Sequence, residues 1–152
     1  MDAALGRRIV VVGDSGSGKS TVAAELCQKL GIKLVELDAL HWEAGWIAAE
    51  IDVFRRRVQE AVMEEEWVLV GNYRTQQSDI SWPRSQSIVW LDLPLRTTIP
   101  RLLARSFARW RSGEPTWGGN RERFWSQFKI WDADASLVGW NRDSIHQAQV
   151  AW

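Results

Sequence analysis

Apolar residues along the chain fall into two kinds of pattern, short unbroken runs and longer stretches with a helical period. The run at 8–12, Ile9-Val10-Val11-Val12 after Arg8, is β-branched throughout and stops at Gly13. Residues 19–30 then carry Val22, Ala23, Leu26, Cys27 and Leu30 at helical spacing and end at Gly31. A second strand is predicted over 33–37, and a second helix over 50–66 from Ile51, Phe54, Val58, Ala61 and Val62 with charged residues between them. Two further β-branched runs, 67–70 and 87–91, are bounded by Gly71-Asn72 and Asp92-Leu93-Pro94. From Thr97 the period is helical again through Ile99, Leu102, Leu103, Phe107 and Trp110, with Pro100 assigned to the first turn. After turn signals at Ser112-Gly113-Glu114-Pro115 and Gly118-Gly119, a helix is predicted over 120–131 and another after Asp134. Strands interleaved with helices predict an α/β fold in three layers, a parallel sheet with helices on both faces.

Composition narrows the class. With 152 residues and 45% apolar side chains, one domain spanning the whole chain is expected. Equal numbers of basic and acidic residues, 19 of each, argue against a nucleic-acid coat or a membrane-surface binder. No run is long enough to span a membrane, and the start lacks a signal-type apolar segment, so a cytoplasmic location is expected. Cys27 is the sole cysteine and has no disulfide partner in the chain.

The strand at 8–12 runs directly into Gly13-Asp14-Ser15-Gly16-Ser17-Gly18-Lys19-Ser20-Thr21, which fits G-x-x-x-x-G-K-[ST] and is followed by an amphipathic helix. Glycines let successive N–H groups face one anion, the helix N-terminus adds partial positive charge, and Lys19 a formal one. These nine residues are therefore assigned to the phosphates of ATP or a related triphosphate, with Ser20 as a ligand for Mg²⁺. Downstream, Arg96, Arg101, Arg105, Arg109, Arg111, Arg121 and Arg123 face only Glu114 and Glu122, a local charge of +5 in a neutral chain. Arg101, Arg105 and Arg109 are four apart and share a helix flank. Guanidinium groups so placed are suited to the charge that spreads over a transferring phosphoryl group. Asp38, at the end of the second strand, is the candidate acid, because carboxyl ends of parallel strands face the ligand crevice. His41, between Leu40 and Trp42, reads as a packed side chain more readily than a catalytic one.

These residues resemble the nucleoside-monophosphate (adenylate) kinase superfamily of P-loop kinases. The resemblance lies in the glycine loop and in Leu91-Asp92-Leu93-Pro94 followed by Arg101 and Arg105. Within it the chain is similar to the adenylate-kinase-like, DNA-topology-modulation-type bacterial ATPases. The pieces shared with that group are Leu37-Asp38-Ala39-Leu40-His41-Trp42 with Gly45-Trp46, Gly71-Asn72-Tyr73-Arg74, Trp82-Pro83-Arg84, and Trp117-Gly118-Gly119-Asn120-Arg121-Glu122. The resemblance implies a P-loop NTPase fold with strands ordered 2-3-1-4 and a helical lid at about 110–125. It further implies that Arg74 meets the phosphate acceptor, Arg101 lies against the donor nucleotide and Arg105 bridges donor and acceptor. Two departures stand out. Val70 occupies the position where such kinases carry an aspartate that helps hold Mg²⁺, so either Asp38 takes that role as the candidate second metal residue or catalysis is weak, and no fifth strand is evident before Trp152. The expected function is transfer of the γ-phosphate of ATP to a small, possibly nucleotide, acceptor. The alternative is a nucleotide-dependent regulatory or binding protein, or a slow ATPase without an acceptor.

Overall fold

The computed structural model describes residues 6–121. They divide into two compact units, one made of residues 6–13 and 18–91, the other of 14–17 and 92–121.

In chain order the first unit contains β1 (Arg8–Gly13), α1 (Lys19–Leu30), β2 (Leu34–Glu36), α2 (Leu37–His41), a small hairpin of β3 (Trp42–Glu43) and β4 (Ile47–Ala48), α3 (Ile51–Ala61), β5 (Trp67–Val70), α4 (Arg74–Ser81) and β6 (Ser87–Leu91). β2, β5, β1 and β6 lie side by side in that order, every pair parallel. Counted along the chain as the four strands of the main sheet, this is the 2-3-1-4 order. Past Arg8 the central strands are buried along their length, as continuous apolar runs in a sheet covered on both faces must be.

Alternation along each strand sorts the core into two halves. Val10, Val12, Val35, Trp67 and Leu69 pack with Leu37 and with Phe54, Val58 and Val62 of the α3 segment. Ile9, Val11, Val68 and Val70 pack with Ile32 and Ala23 of α1. Burial of these side chains is worth about 1.5–3 kcal/mol each and is the main term holding the unit together. Gly31, in the left-handed conformation, donates its N–H to the Cys27 carbonyl and stops α1 where the sequence predicts.

Three local features differ from expectation. The second helix ends at Ala61, not Glu66. Glu64, Glu65 and Glu66 would set three carboxylates against the negative end of a helix. The chain extends instead: Trp67 donates its N–H to the Arg7 carbonyl, and Glu66 accepts from Arg7, with Nη2 2.8 Å from Oε2. Leu37 and Asp38, read as the end of a strand, belong to α2, and α4 was not anticipated at all.

Among the described residues the second unit contains α5 (Leu95–Ser112) and a 3₁₀ turn at Trp117–Gly119. α5 begins two residues earlier than its apolar period suggests, because Pro94 accepts the N–H groups of Thr97 and Thr98. Pro100 is consequently interior to the helix, and the Arg96 carbonyl loses its usual i+4 donor. Beyond the Gly113 cap, Pro115 and Arg121 form an antiparallel bridge, and both the Thr116 N–H and its hydroxyl reach the Asn120 carbonyl at 2.7 and 3.0 Å. The helix expected over 120–131 does not begin at its first two residues, because Asn120 is extended and Arg121 is drawn into the bridge with Pro115; the rest of it, the helix expected after Asp134, the question of a fifth strand and the lid beyond 121 lie outside the described residues.

Candidate functional site

The glycine loop takes its shape from positions that only glycine occupies without strain. Gly13 ends β1 with φ 153°, Gly16 has φ 85°, and Gly18 caps α1 with φ 90°. Between them, the Ser17 N–H bonds the Asp14 carbonyl at 3.1 Å, closing a tight turn. Gly16 is needed twice over, since a β-carbon there would stand 2.3 Å from the Thr98 carbonyl oxygen and 3.3 Å from the Leu102 nitrogen. The turn thus lies against the backbone of the helix that carries Arg101 and Arg105. At Gly18 the space around a β-carbon is open, so backbone conformation alone excludes other residues. The Ser17 hydroxyl is buried with no hydrogen-bond partner among the described residues. Lys19, Ser20 and Thr21 form the first turn of α1, Lys19 half-buried and Ser20 exposed. A cradle of this kind, with unstrained left-handed glycines and an unspent buried donor, fits a polyphosphate.

Because the main sheet is wholly parallel, Gly13, Asp38 and the turn 71–73 all follow carboxyl ends of strands at one edge of it. Gly71 has φ 145°, and a β-carbon on it would stand 2.7 Å from Leu37 Cβ. That close approach brings Tyr73 to Asp38 of α2, and the phenol donates to Asp38 Oδ1 at 2.7 Å. The Tyr73 ring is fixed by His41 at 4.5 Å and Phe54 at 5.3 Å between centroids, and His41 also meets Trp42 edge-on at 4.8 Å. Burial, then the Asp38 charge and its hydrogen bond, push the Tyr73 phenol far above its ordinary range, so it stays a proton donor. His41 is buried, and that burial holds its imidazole below its ordinary value despite the opposing pull of Asp38.

Arg74 starts α4, half-buried, with its guanidinium over the rings of Trp82 and Trp90. Val70 is 4% exposed within the apolar cluster beside Val11 and Ala23, so its position offers no polar surface to a metal. In the second unit Arg101 is exposed and Arg105 half-buried on α5, while Arg109 stands 5.5 Å over Trp117. No group of three or more His, Cys, Asp or Glu side chains gathers into a metal site among the described residues. Nor is any described helix long and apolar enough to cross a membrane.

Tyr73, Gly71 and the two indoles at Arg74 escape the sequence reading. Their partners are separated by up to 35 residues, and no spacing rule links a tyrosine to an aspartate at that distance. The one visible signal is the compact piece Gly71-Asn72-Tyr73-Arg74.

The chain is 30% identical over 111 residues to a shikimate kinase of Sulfurihydrogenibium sp., covering 63% of this chain and 66% of the relative. It is 31% identical over 110 residues to threonine synthase-like 1 of Mus musculus, covering 63% of this chain and 15% of that one. A gluconokinase structure from Sinorhizobium meliloti is 28% identical with a TM-score of 0.47, covering 64% of this chain and 63% of that one. The chain therefore spans less than two thirds of the length of each of these proteins. Residues 9–84, from β1 through the turn after α4, match the model of a family described as an AAA domain. That span holds the glycine loop, Asp38 and Arg74, and the chain belongs to the AAA-domain family.

Proposed function

We propose that this protein is a P-loop kinase that transfers the γ-phosphate of ATP to a small acceptor. The observation that carries the reading is the glycine loop, whose left-handed glycines and helix N-terminus form a phosphate cradle ending in Lys19 and Ser20. Lys19 would hold the β- and γ-phosphates, while the backbone of 13–21 cradles the chain of phosphates. Ser20, with Asp38 near it in role, would hold Mg²⁺, which when bound neutralises charge on the phosphates. Arg101 and Arg105 would meet the transferring group, and Arg74 the acceptor.

The similarity to a shikimate kinase supports a small hydroxyl-bearing acceptor. Within the kinases, the pieces Gly71-Asn72-Tyr73-Arg74 and Trp82-Pro83-Arg84 support a place among the adenylate-kinase-like, topology-modulation-type ATPases. Asp38 has one oxygen occupied by Tyr73, which orients the carboxylate and leaves Oδ2 for a hydroxyl or a metal-bound water.

ADP formation measured against a panel of nucleotides and small alcohols tests the reading. An acceptor that raises turnover at least tenfold above hydrolysis, with the gain lost in Lys19→Ala, is expected. If every acceptor leaves turnover at the hydrolysis background, the regulatory or slow-ATPase alternative takes its place. The apolar surroundings of Val70 are the observation that favours that alternative.

A further inference from the structure

Asp38 sits on an element too short to hold its own shape. α2 is five residues long and its N-cap, Glu36, supplies no side-chain hydrogen bond. Helices shorter than about 12–15 residues are marginal in water by themselves. The hairpin that follows has two residues in each strand. Both elements therefore depend on what grips them. Leu37 is fully buried and secures the start of α2. Its far end and the hairpin are gripped together by Arg57 of α3.

Arg57 donates through Nη1 to the Leu40 carbonyl at 2.9 Å, and its Nη2 stands 2.8 Å from Glu43 Oε1. Leu40 lies in the last turn of α2, where carbonyls lack intrahelical donors and carry the negative end of the helix dipole. A guanidinium there matches the carbonyl in hydrogen bonding and in charge. Glu43 belongs to β3, beside Trp42, whose N–H closes α2 on the Asp38 carbonyl. α3 is itself fixed: Phe54 and Val58 are fully buried, and Arg55 reaches α4 at the Gln76 carbonyl and at Asp79, both at 2.6 Å. One guanidinium thus runs from a core-anchored helix to the short element that carries Asp38 and to the hairpin after it. Tyr73 fixes an oxygen of the Asp38 carboxylate, but that bond sets an orientation only if the backbone behind it stays in place.

We propose that Arg57 is a positioning residue that keeps α2 helical and joined to the hairpin, so that Asp38 is set before any acceptor arrives. The consequence for catalysis rests on the kinase reading; the tie between Arg57 and α2 does not. Lysine is a poor substitute, since the planar fork reaches a carbonyl and a carboxylate together in a fixed geometry.

The test measures amide hydrogen exchange in the full chain. The Trp42 N–H reports α2, because its acceptor is the Asp38 carbonyl. Arg57→Ala is expected to speed its exchange about tenfold, and Arg57→Lys by less. Arg84→Ala is the control: it removes another arginine–carbonyl bond, to Val62 at 2.9 Å beyond the opposite end of α3, and should leave Trp42 exchange within twofold. With any acceptor found active, Arg57→Ala should lower acceptor-dependent kcat about tenfold while the KM for ATP moves less than twofold, and Arg57→Lys should recover part of the loss. Trp42 exchange that is unchanged in Arg57→Ala, or equally fast in Arg84→Ala, overturns the proposal, as does an unchanged kcat with an active acceptor. The expected exchange pattern in a parent protein that no acceptor stimulates overturns only the kinase reading.

Discussion

Removing one oxygen atom, by Tyr73→Phe, tests how firmly the turn after β5 is tied to α2. The phenol donates to Asp38 Oδ1 at 2.7 Å, a good length for a bond to a carboxylate. Hydrogen bonds to charged groups contribute about 1.5–3 kcal/mol net. Asp38 is half-buried, so water reaches the carboxylate when the phenol is gone, and the lower part of that range applies. Ring packing against His41 and Phe54 survives in the variant, which limits the loss to the oxygen itself. The expected cost is about 1.5–2 kcal/mol, read from urea unfolding followed by tryptophan fluorescence with an unchanged slope. A second measurement isolates the pair. In an Asp38→Ala background the same Tyr73→Phe change should cost less than about 0.5 kcal/mol, because neighbours in one hydrogen bond are not additive. A Tyr73→Phe cost below about 0.5 kcal/mol in the parent, or full additivity in the double variant, would refute the reasoning and reduce Tyr73 to a packing residue.

Gly16→Ala should destabilise the protein more than Gly18→Ala and weaken ATP binding at least tenfold by calorimetry. Both positions have positive φ, worth about 1–2 kcal/mol of strain, but only Gly16 meets a backbone oxygen at 2.3 Å. Equal costs at the two would contradict the packing of the loop on Thr98. Val70→Asp should lower stability by about 3 kcal/mol or more, because its carboxylate would enter the cluster of Ile9, Val11 and Ala23; a gain in Mg²⁺ affinity at unchanged melting temperature would count against this. His41 has its folded pKa depressed by burial, so the unfolded chain takes up the proton first as pH falls. Its contribution to stability is complete above the ordinary histidine value and is lost as pH drops from there toward the depressed folded one. Melting temperatures at pH 7.5 and 5.5 should differ more in the parent than in His41→Phe, and an equal difference would remove His41 as the cause.

Much of the fold is legible in the residues themselves. The runs around Val10, Leu69 and Val89 are continuous and β-branched, the signature of strands buried on both faces, and their alternation with the periods of α1 and α3 leaves a parallel sheet as the outcome. The phosphate loop is legible for the same reason: its requirements are local, since glycine conformations, a helix N-terminus and a lysine all lie within nine consecutive residues. α4 and the short α2 were not, because their apolar positions are too few to set a period and their form follows from packing on α3 and β2. Asp38 shows the division most clearly. Asp38 stands out in the sequence as a carboxylate after a strand, but its orientation is decided by Tyr73, brought within 2.7 Å only because Gly71 lets the chain close on Leu37. Arg74 is visible as a basic residue in a motif; that two indoles rather than a carboxylate face its guanidinium depends on β6 and the turn after α4 meeting in space. Local chemistry was determined by the chain itself, and the pairing of distant side chains only by tertiary structure, because hydrogen bonds and ring contacts act over a few ångströms whatever the separation in sequence.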